Sequence, residues 1–304
     1  MPAKILPPPL KPGDLLRVIA PSGALREFEE FKQSLEIWRS RGYKIEISPK
    51  IDDKWGYLAG TDENRRQQLA AAWQDPDCRG ILCARGGFGS TRILENWNWP
   101  TSALPKWLIG FSDITALLWS LYTAGISGVH GPVMTTLVDE PDWSIKRLFD
   151  WIEDSSFTPL KGYGWGGGVV NGTLLPGNLT VATHLLGTPI LPHLDGVILA
   201  LEDVTEAPYR IDRMLTQWRL SGALSQVCGI ALGGFTRCEA PPTISSFSVE
   251  EVLRDRLGDL GIPIVSDLPF GHDNPNAALP VGVEVTLDGD AGILAMPTAA
   301  SYAP

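Results

Sequence analysis

Residues 106–117 read Lys-Trp-Leu-Ile-Gly-Phe-Ser-Asp-Ile-Thr-Ala-Leu, an apolar strand that ends on Gly110 and passes straight into a helix with Ser112 at the bend. A strand-to-helix elbow lifts a serine hydroxyl out of the sheet. It also leaves the backbone N–H of Asp113 at a helix N-terminus, where an oxyanion can be held. The chemistry such a serine would do is acyl transfer. Taken alone, the segment reads as an N-cap serine, because Ser is a preferred cap and the second glycine of the α/β-hydrolase elbow is absent.

A nucleophilic serine needs a base to take its proton and a carboxylate to fix that base. The chain has four histidines: His130, His184, His193 and His272. His272 lies in Pro269-Phe-Gly-His-Asp-Asn-Pro-Asn276, a loop dense in turn formers directly after a strand, where a side chain can be aimed. His184 sits in an apolar helical stretch and reads as partly buried. His130 and His193 adjoin prolines and read as turn residues. Glu202 ends the apolar run Val197-Ile-Leu-Ala-Leu201, and strand C-termini are where open α/β sheets place their ligands. Asp203 is an equal candidate on chemistry alone. Arg85-Gly-Gly-Phe-Gly89 follows the strand Gly80–Ala84, bringing unobstructed backbone amides to another strand end, as an oxyanion loop or a tight turn would. A P-loop is disfavoured by the missing Gly-Lys-Ser/Thr signature.

The elements that must position these residues alternate. Short β-branched runs at 15–20, 43–48, 80–84 and 107–111 are separated by amphipathic segments near 26–41, 62–74 and 113–124, the pattern of a parallel sheet in an α/β layer. Phe28, Phe31, Leu35 and Trp38 form the sheet-facing stripe of the first helix. From 151 to 177 the pattern gives way to Pro159 and the run Gly162-Tyr-Gly-Trp-Gly-Gly-Gly168, which reads as a linker; no strand or helix flanks it as a dinucleotide loop would require. A helix near 178–187, a strand at 196–202, a helix opened by Pro208, strands at 227–232, 263–266 and 283–287 and a helix near 248–257 follow. The expected fold is therefore α/β with two domains: 1–150, a parallel-sheet α/β layer carrying the elbow, and 178–304, a mixed α/β or β-rich domain.

Composition sets the bounds. A chain of 304 residues exceeds the roughly 250–300 at which single cores stop growing. Hydrophobic content of 44% with 20% charge is that of a soluble globular protein, and no run approaches the ~18 apolar residues of a membrane span. The proline-broken start is no secretory signal, so the expected location is cytoplasmic. A net charge of −10 argues against non-specific nucleic-acid binding. Cys78, Cys83, Cys228 and Cys238 lack metal-ligand spacing and read as buried thiols. No metal or organic cofactor is indicated.

With these pieces together, the chain resembles the LD-carboxypeptidases (muramoyltetrapeptide carboxypeptidases), a serine peptidase family that also includes the microcin C self-immunity peptidases. The resemblance runs through Ile19-Ala-Pro-Ser22, Arg85-Gly-Gly-Phe-Gly89, Gly110-Phe-Ser-Asp-Ile-Thr115, Gly131-Pro132, Gly177-Asn178-Leu179, Leu201-Glu-Asp-Val204, Tyr209-Arg-Ile-Asp-Arg-Met-Leu215, Phe270-Gly-His272 and Leu279-Pro280. It implies a Ser112, Glu202, His272 triad drawn from both domains, and so chooses Glu202 over Asp203. It also implies an oxyanion hole from the Asp113 N–H with that of Gly86 or Gly87. The implied activity is removal of the terminal D-alanine from murein tetrapeptides in cell-wall recycling, by a homodimer. The free substrate carboxylate then needs a cation, for which Arg85 and Arg213 are candidates. A peptidyl-nucleotide hydrolase of the microcin C kind, with Trp165 or Trp143 as a stacking surface, and an inactive wall-peptide-binding module are the alternatives.

Overall fold

The computed structural model describes residues 5–100, 104–153, 158–273 and 275–295. The chain forms two compact units, Met1–Ser156 with Ala277–Gly282, and Phe157–Asn276 with Val283–Pro304. In chain order the elements are β1 (Leu15–Ile19), α1 (Phe28–Ser40), β2 (Lys44–Ile47), α2 (Asp62–Gln74), β3 (Cys78–Cys83), α3 (Ser90–Leu94), β4 (Trp107–Gly110), a 3-10 turn (Ser112–Ile114) running into α4 (Thr115–Thr123), β5 (Gly128–His130) and α5 (Asp142–Ile152). They continue with β6 (Leu160–Lys161), β7 (Tyr163–Gly164), β8 (Val169–Asn178), α6 (Leu179–Leu185), β9 (Val197–Val204), α7 (Pro208–Leu220), β10 (Gly229–Thr236), α8 (Val249–Leu257), β11 (Ile264–Ser266), β12 (Leu279–Val281), β13 (Val283–Asp288) and β14 (Ile293–Ala295).

In the first unit β2, β1, β3, β4 and β5 run parallel in that order, as the alternating pattern predicts. β12 adds an antiparallel edge, Leu279 opposite His130. Ile81, Leu82, Leu108 and Ile109 of the central strands and Leu117, Leu118 and Trp119 of α4 are buried, as strands and helices covered on both faces must be. On α1 the stripe holds for Phe31, Leu35 and Trp38, but Phe28 is 40% exposed and is not core: it opens the helix, beyond the point where the stripe meets the sheet.

In the second unit the strand order is β6-β14-β13-β8-β9-β10-β11-β7, with β8 to β11 parallel where adjacent and the outer pairs antiparallel. This is the mixed sheet expected. The linker expected over 151–177 is not what forms: α5 runs to Ile152, and β6, β7 and β8 occupy most of the described remainder. Only Gly162 separates β6 from β7, yet these pair at opposite ends of the strand order, so the sheet closes on itself there. The glycines are the condition of that closure. A Cβ on Gly162 would lie 2.1 Å from the Ser266 carbonyl oxygen, and one on Gly164 would lie 2.2 Å from that of Gly289. Backbone packs on backbone, sealed by Gly162 N–H donating to Gly292 O at 2.9 Å and Gly166 N–H to Gly289 O at 2.8 Å.

Gly164→Ala therefore loses about 3 kcal/mol of stability, the scale of a severe overpacking defect. Gly168→Ala, at φ +78° with nothing within 4 Å of the new Cβ, loses only about 1 kcal/mol of backbone strain. Urea unfolding of the two variants side by side checks the difference.

Candidate active site

In the first unit the elbow is as the sequence predicts, with one difference. The N-cap position falls on Phe111, and Ser112 instead takes the left-handed region at φ 63°. For a residue with a Cβ this costs about 1–2 kcal/mol and persists only where the surroundings enforce it. They do so through Asp113, which is 3% exposed. Its Oδ2 accepts from Ser22 Oγ at 2.5 Å and from the Ser90 N–H at 2.8 Å, and its carbonyl accepts from Ser90 Oγ at 2.5 Å. The carboxylate after the nucleophile thus points inward and ties the elbow to the loops that follow β1 and β3. Arg65, fully buried, ties the same two loops by donating to Pro21 O at 2.8 Å and Gly89 O at 2.6 Å.

The glycine loop comes against the serine. A Cβ on Gly86 would stand 3.0 Å from Ser112 Cβ and 3.2 Å from its Oγ, so the backbone itself lines the hydroxyl. Three candidate oxyanion donors, the N–H of Asp113 at the first turn of a helix and the amides of Gly86 and Gly87, lie in this neighbourhood; first-turn amides have no partner inside their own helix.

In the second unit Glu202 sits in the C-terminal half of β9, two residues before its end, 0% exposed. Its Oε2 is 2.6 Å from His272 Nδ1. A carboxylate in its ionised form only accepts, so the contact suits the His272 tautomer with its proton on Nδ1 and its lone pair on Nε2. That is the tautomer a general base needs. The structure also separates Glu202 from Asp203 by strand alternation. Asp203 accepts from the Thr180 N–H and Oγ1, each at 2.8 Å, and from the Val204 N–H at 2.7 Å. Burial raises its pKa above the ordinary aspartate value. Asn178 Nδ2 donates to both carboxylates, to Glu202 Oε1 at 3.3 Å and Asp203 Oδ1 at 3.1 Å. The His272 loop meets Glu202 at Gly271, φ +128°, where a Cβ would lie 3.2 Å from Glu202 Oε2.

Glu202 and His272 are thus brought together, and so are Ser112, Asp113 and Gly86; the two groups belong to different units. Gly87 lies in the same loop as Gly86. Ser22, Ser90, Asn178 and Gly271 carry no role in the sequence reading, although all except Ser90 fall within the motifs that make the resemblance. Their signal was position, at strand ends beside the candidates. The other histidines lie elsewhere. His130 is buried in β5 against Phe111, ring centroids 6.0 Å apart, and is no turn residue. His193 is exposed, and so is His184, which was expected to be partly buried; His184 lies on the outer face of α6, with Nδ1 2.7 Å from Thr180 O. Cys78, Cys83 and Cys238 are buried free thiols whose pKa burial raises; Cys228 is half-buried. Trp165 packs beneath the Arg254 guanidinium, 4.5 Å from its ring centroid, and donates to Ser266 Oγ at 3.0 Å; Trp143 is 45% exposed on α5. Among the described residues no cluster of three or more His, Cys, Asp or Glu is arranged to hold a metal, and no helix is long and apolar enough to cross a membrane.

Residues 16–131 match the LD-carboxypeptidase N-terminal domain and residues 171–287 the LD-carboxypeptidase C-terminal domain. The chain belongs to the LD-carboxypeptidase family and is a serine carboxypeptidase. A putative carboxypeptidase of Synechocystis, slr1534, is 58% identical over 97% of this chain and 98% of its own. The murein tetrapeptide carboxypeptidase of Pseudomonas aeruginosa is 33% identical over 90% and 92%, and the microcin C7 self-immunity protein MccF of Escherichia coli 27% identical over 94% of each. The crystal structure of muramoyltetrapeptide carboxypeptidase from Oxalobacter formigenes superposes with a TM-score of 0.82 at 29% identity, covering 92% of this chain and 97% of that one.

Asn178→Ala removes both the cap of α6, whose Oδ1 accepts from the Val181 N–H at 3.1 Å, and the donor shared by two buried carboxylates. The cap accounts for about 1 kcal/mol at any pH. The rest depends on pH. Asp203 holds its proton more tightly folded than unfolded, so above the ordinary aspartate range the folded state binds more protons and stability falls as pH rises through that window. Without the Asn178 donor this fall is steeper. Urea midpoints at pH 4.5 and pH 8 are expected to show a larger deficit against wild type at pH 8.

Proposed function

We propose that the protein removes the terminal D-alanine from murein tetrapeptides by cleaving the bond at the L-centre of the diamino acid, in cytoplasmic recycling of cell-wall peptide. The observation that carries this reading is the 2.6 Å hydrogen bond from His272 Nδ1 to the fully buried Glu202, which orients an imidazole as a base has to be oriented. The strained Ser112 supports it from the other unit. The murein tetrapeptide carboxypeptidase among its relatives supplies the substrate class.

In this reaction Ser112 Oγ attacks the amide carbonyl while His272 Nε2 takes its proton. The oxyanion is met by the N–H of Asp113 and that of Gly86 or Gly87. The tetrahedral intermediate collapses, the C–N bond breaks, and the imidazolium gives its proton to the departing amine of D-alanine. Water, deprotonated by His272, then releases the tripeptide acyl group from Ser112. Glu202 stays ionised throughout and stabilises the imidazolium. The reading requires Ser112 Oγ to come within hydrogen-bond reach of His272 Nε2 during turnover. It also carries a homodimer, which light scattering tests.

Mass spectrometry of a disaccharide-tetrapeptide and of the free tetrapeptide, incubated with enzyme, is expected to show loss of one D-alanine with wild type. Ser112→Ala and His272→Ala each lower kcat by at least about 10³-fold, and the double variant is scarcely worse than either, since triad members act as a unit. Ser112→Ala turning over near the wild-type rate overturns the assignment. Hydrolysis of an aminoacyl sulfamoyl adenosine with no D-alanine release moves the substrate to the microcin class. Tight tetrapeptide binding without turnover, unchanged in Ser112→Ala, makes the protein a binding module.

A further inference from the structure

Arg85 stands at the end of β3 beside the glycine loop, where a free guanidinium would suit a substrate carboxylate. It is not free. Its Nε donates to Glu27 Oε2 at 3.0 Å and its Nη2 to Glu27 Oε1 at 3.4 Å, a two-pronged contact, while Nη1 reaches the carbonyl of Gly86 at 3.4 Å. The same carbonyl accepts from the Gly23 N–H at 3.0 Å. The side chain is therefore folded back over its own loop, and glycines make room for it. A Cβ on Gly23 would lie 2.7 Å from Arg85 Nη1 and 2.8 Å from Gly86 O, and one on Gly87 would lie 2.8 Å from that Nη1.

The group so held is the peptide unit between Gly86 and Gly87. In a trans peptide the N–H points opposite to the C=O, so fixing the Gly86 oxygen toward Gly23 and Arg85 fixes the direction of the Gly87 N–H on the other side. Gly86 itself abuts Ser112, and glycines are otherwise the residues least able to hold one backbone orientation. We propose that Arg85 and Glu27 are positioning residues that lock the Gly86–Gly87 peptide, and with it the Gly87 N–H, in the orientation an oxyanion on the Ser112 adduct requires. Burial works against the Glu27 carboxylate, but the Arg85 hydrogen bond and charge together with backbone hydrogen bonds outweigh it and hold its pKa below the ordinary value. The Glu27 carboxylate is therefore ionised at neutral pH. Lysine cannot reproduce the contact, because it lacks the planar fork.

This inference rests on the hydrolase reading above, and its test separates the two. kcat and KM for D-alanine release are measured for wild type, Arg85→Lys, Glu27→Gln and Gly23→Ala, together with inhibition by an aldehyde of the tripeptide acyl part, whose carbonyl stands where the scissile one does and forms a tetrahedral adduct on serine. Binding of intact tetrapeptide is measured in Ser112→Ala with and without Arg85→Lys. Removing an oxyanion donor outright lowers kcat about 10²–10³-fold. Loosening one should lower it about 10- to 100-fold, with KM within about twofold, aldehyde affinity reduced by the same factor as kcat, and intact-substrate binding unmoved. A raised KM with unchanged kcat in Arg85→Lys overturns the proposal and makes Arg85 a ligand of the substrate carboxylate. Unchanged kcat and aldehyde affinity in folded Glu27→Gln also overturns it, whether or not Arg85→Lys folds. If Ser112→Ala is as active as wild type, the hydrolase reading fails instead.

Discussion

A carboxylate with no exposure to water has to be compensated, and much of the second unit around β9 is arranged to compensate Glu202. An unpaired buried charge would neutralise or unfold its surroundings. Here one oxygen takes the His272 ring N–H and the other takes an amide hydrogen from Asn178. Each partner is itself fixed. Asn178 ends β8, pairs in register with Glu202 on the neighbouring strand and caps α6. His272 is delivered by a loop whose Gly271 N–H donates to Asn276 Oδ1 at 3.0 Å and whose backbone lies against the carboxylate. The result is an imidazole held in one direction.

The first unit applies the same logic to a conformation. Ser112 at φ 63° is held by groups that spend their hydrogen bonds on its neighbour: Ser22 and Ser90 on Asp113, and Arg65 on the loops bearing them. The oxyanion loop is governed by close approach, since only glycine at 86 lets backbone touch the serine. Positioning in both units is thus done by buried polar contacts, satisfied at most of their acceptors, which makes them rigid and makes single deletions costly.

Much of this was legible in the sequence. The alternation of strands and helices from β1 to α4 and the strands β9 to β11 follow from hydrophobic period and turn residues. The three candidate residues stand out by type and setting at strand ends and in a loop. Two things were not legible. The run Gly162–Gly168 looks like a linker because glycine and proline are read locally, whereas its glycines answer to carbonyls more than a hundred residues away, at Ser266 and Gly289. β12 was hidden because it is three residues long and contains Pro280, tolerated at a sheet edge. Glu202 and Asp203 are alike on chemistry alone; the pleat of β9 turns the first toward His272 and the second toward Thr180 of α6.

In the proposed reaction Ser112 is a nucleophile activated by the Glu202-oriented His272. The most direct test is labelling with a fluorophosphonate probe followed by peptide mapping, in wild type and in His272→Ala. The account predicts a single adduct on Ser112, formed far more slowly once His272 is gone. An adduct on another residue, or labelling of Ser112 at the same rate without His272, contradicts it.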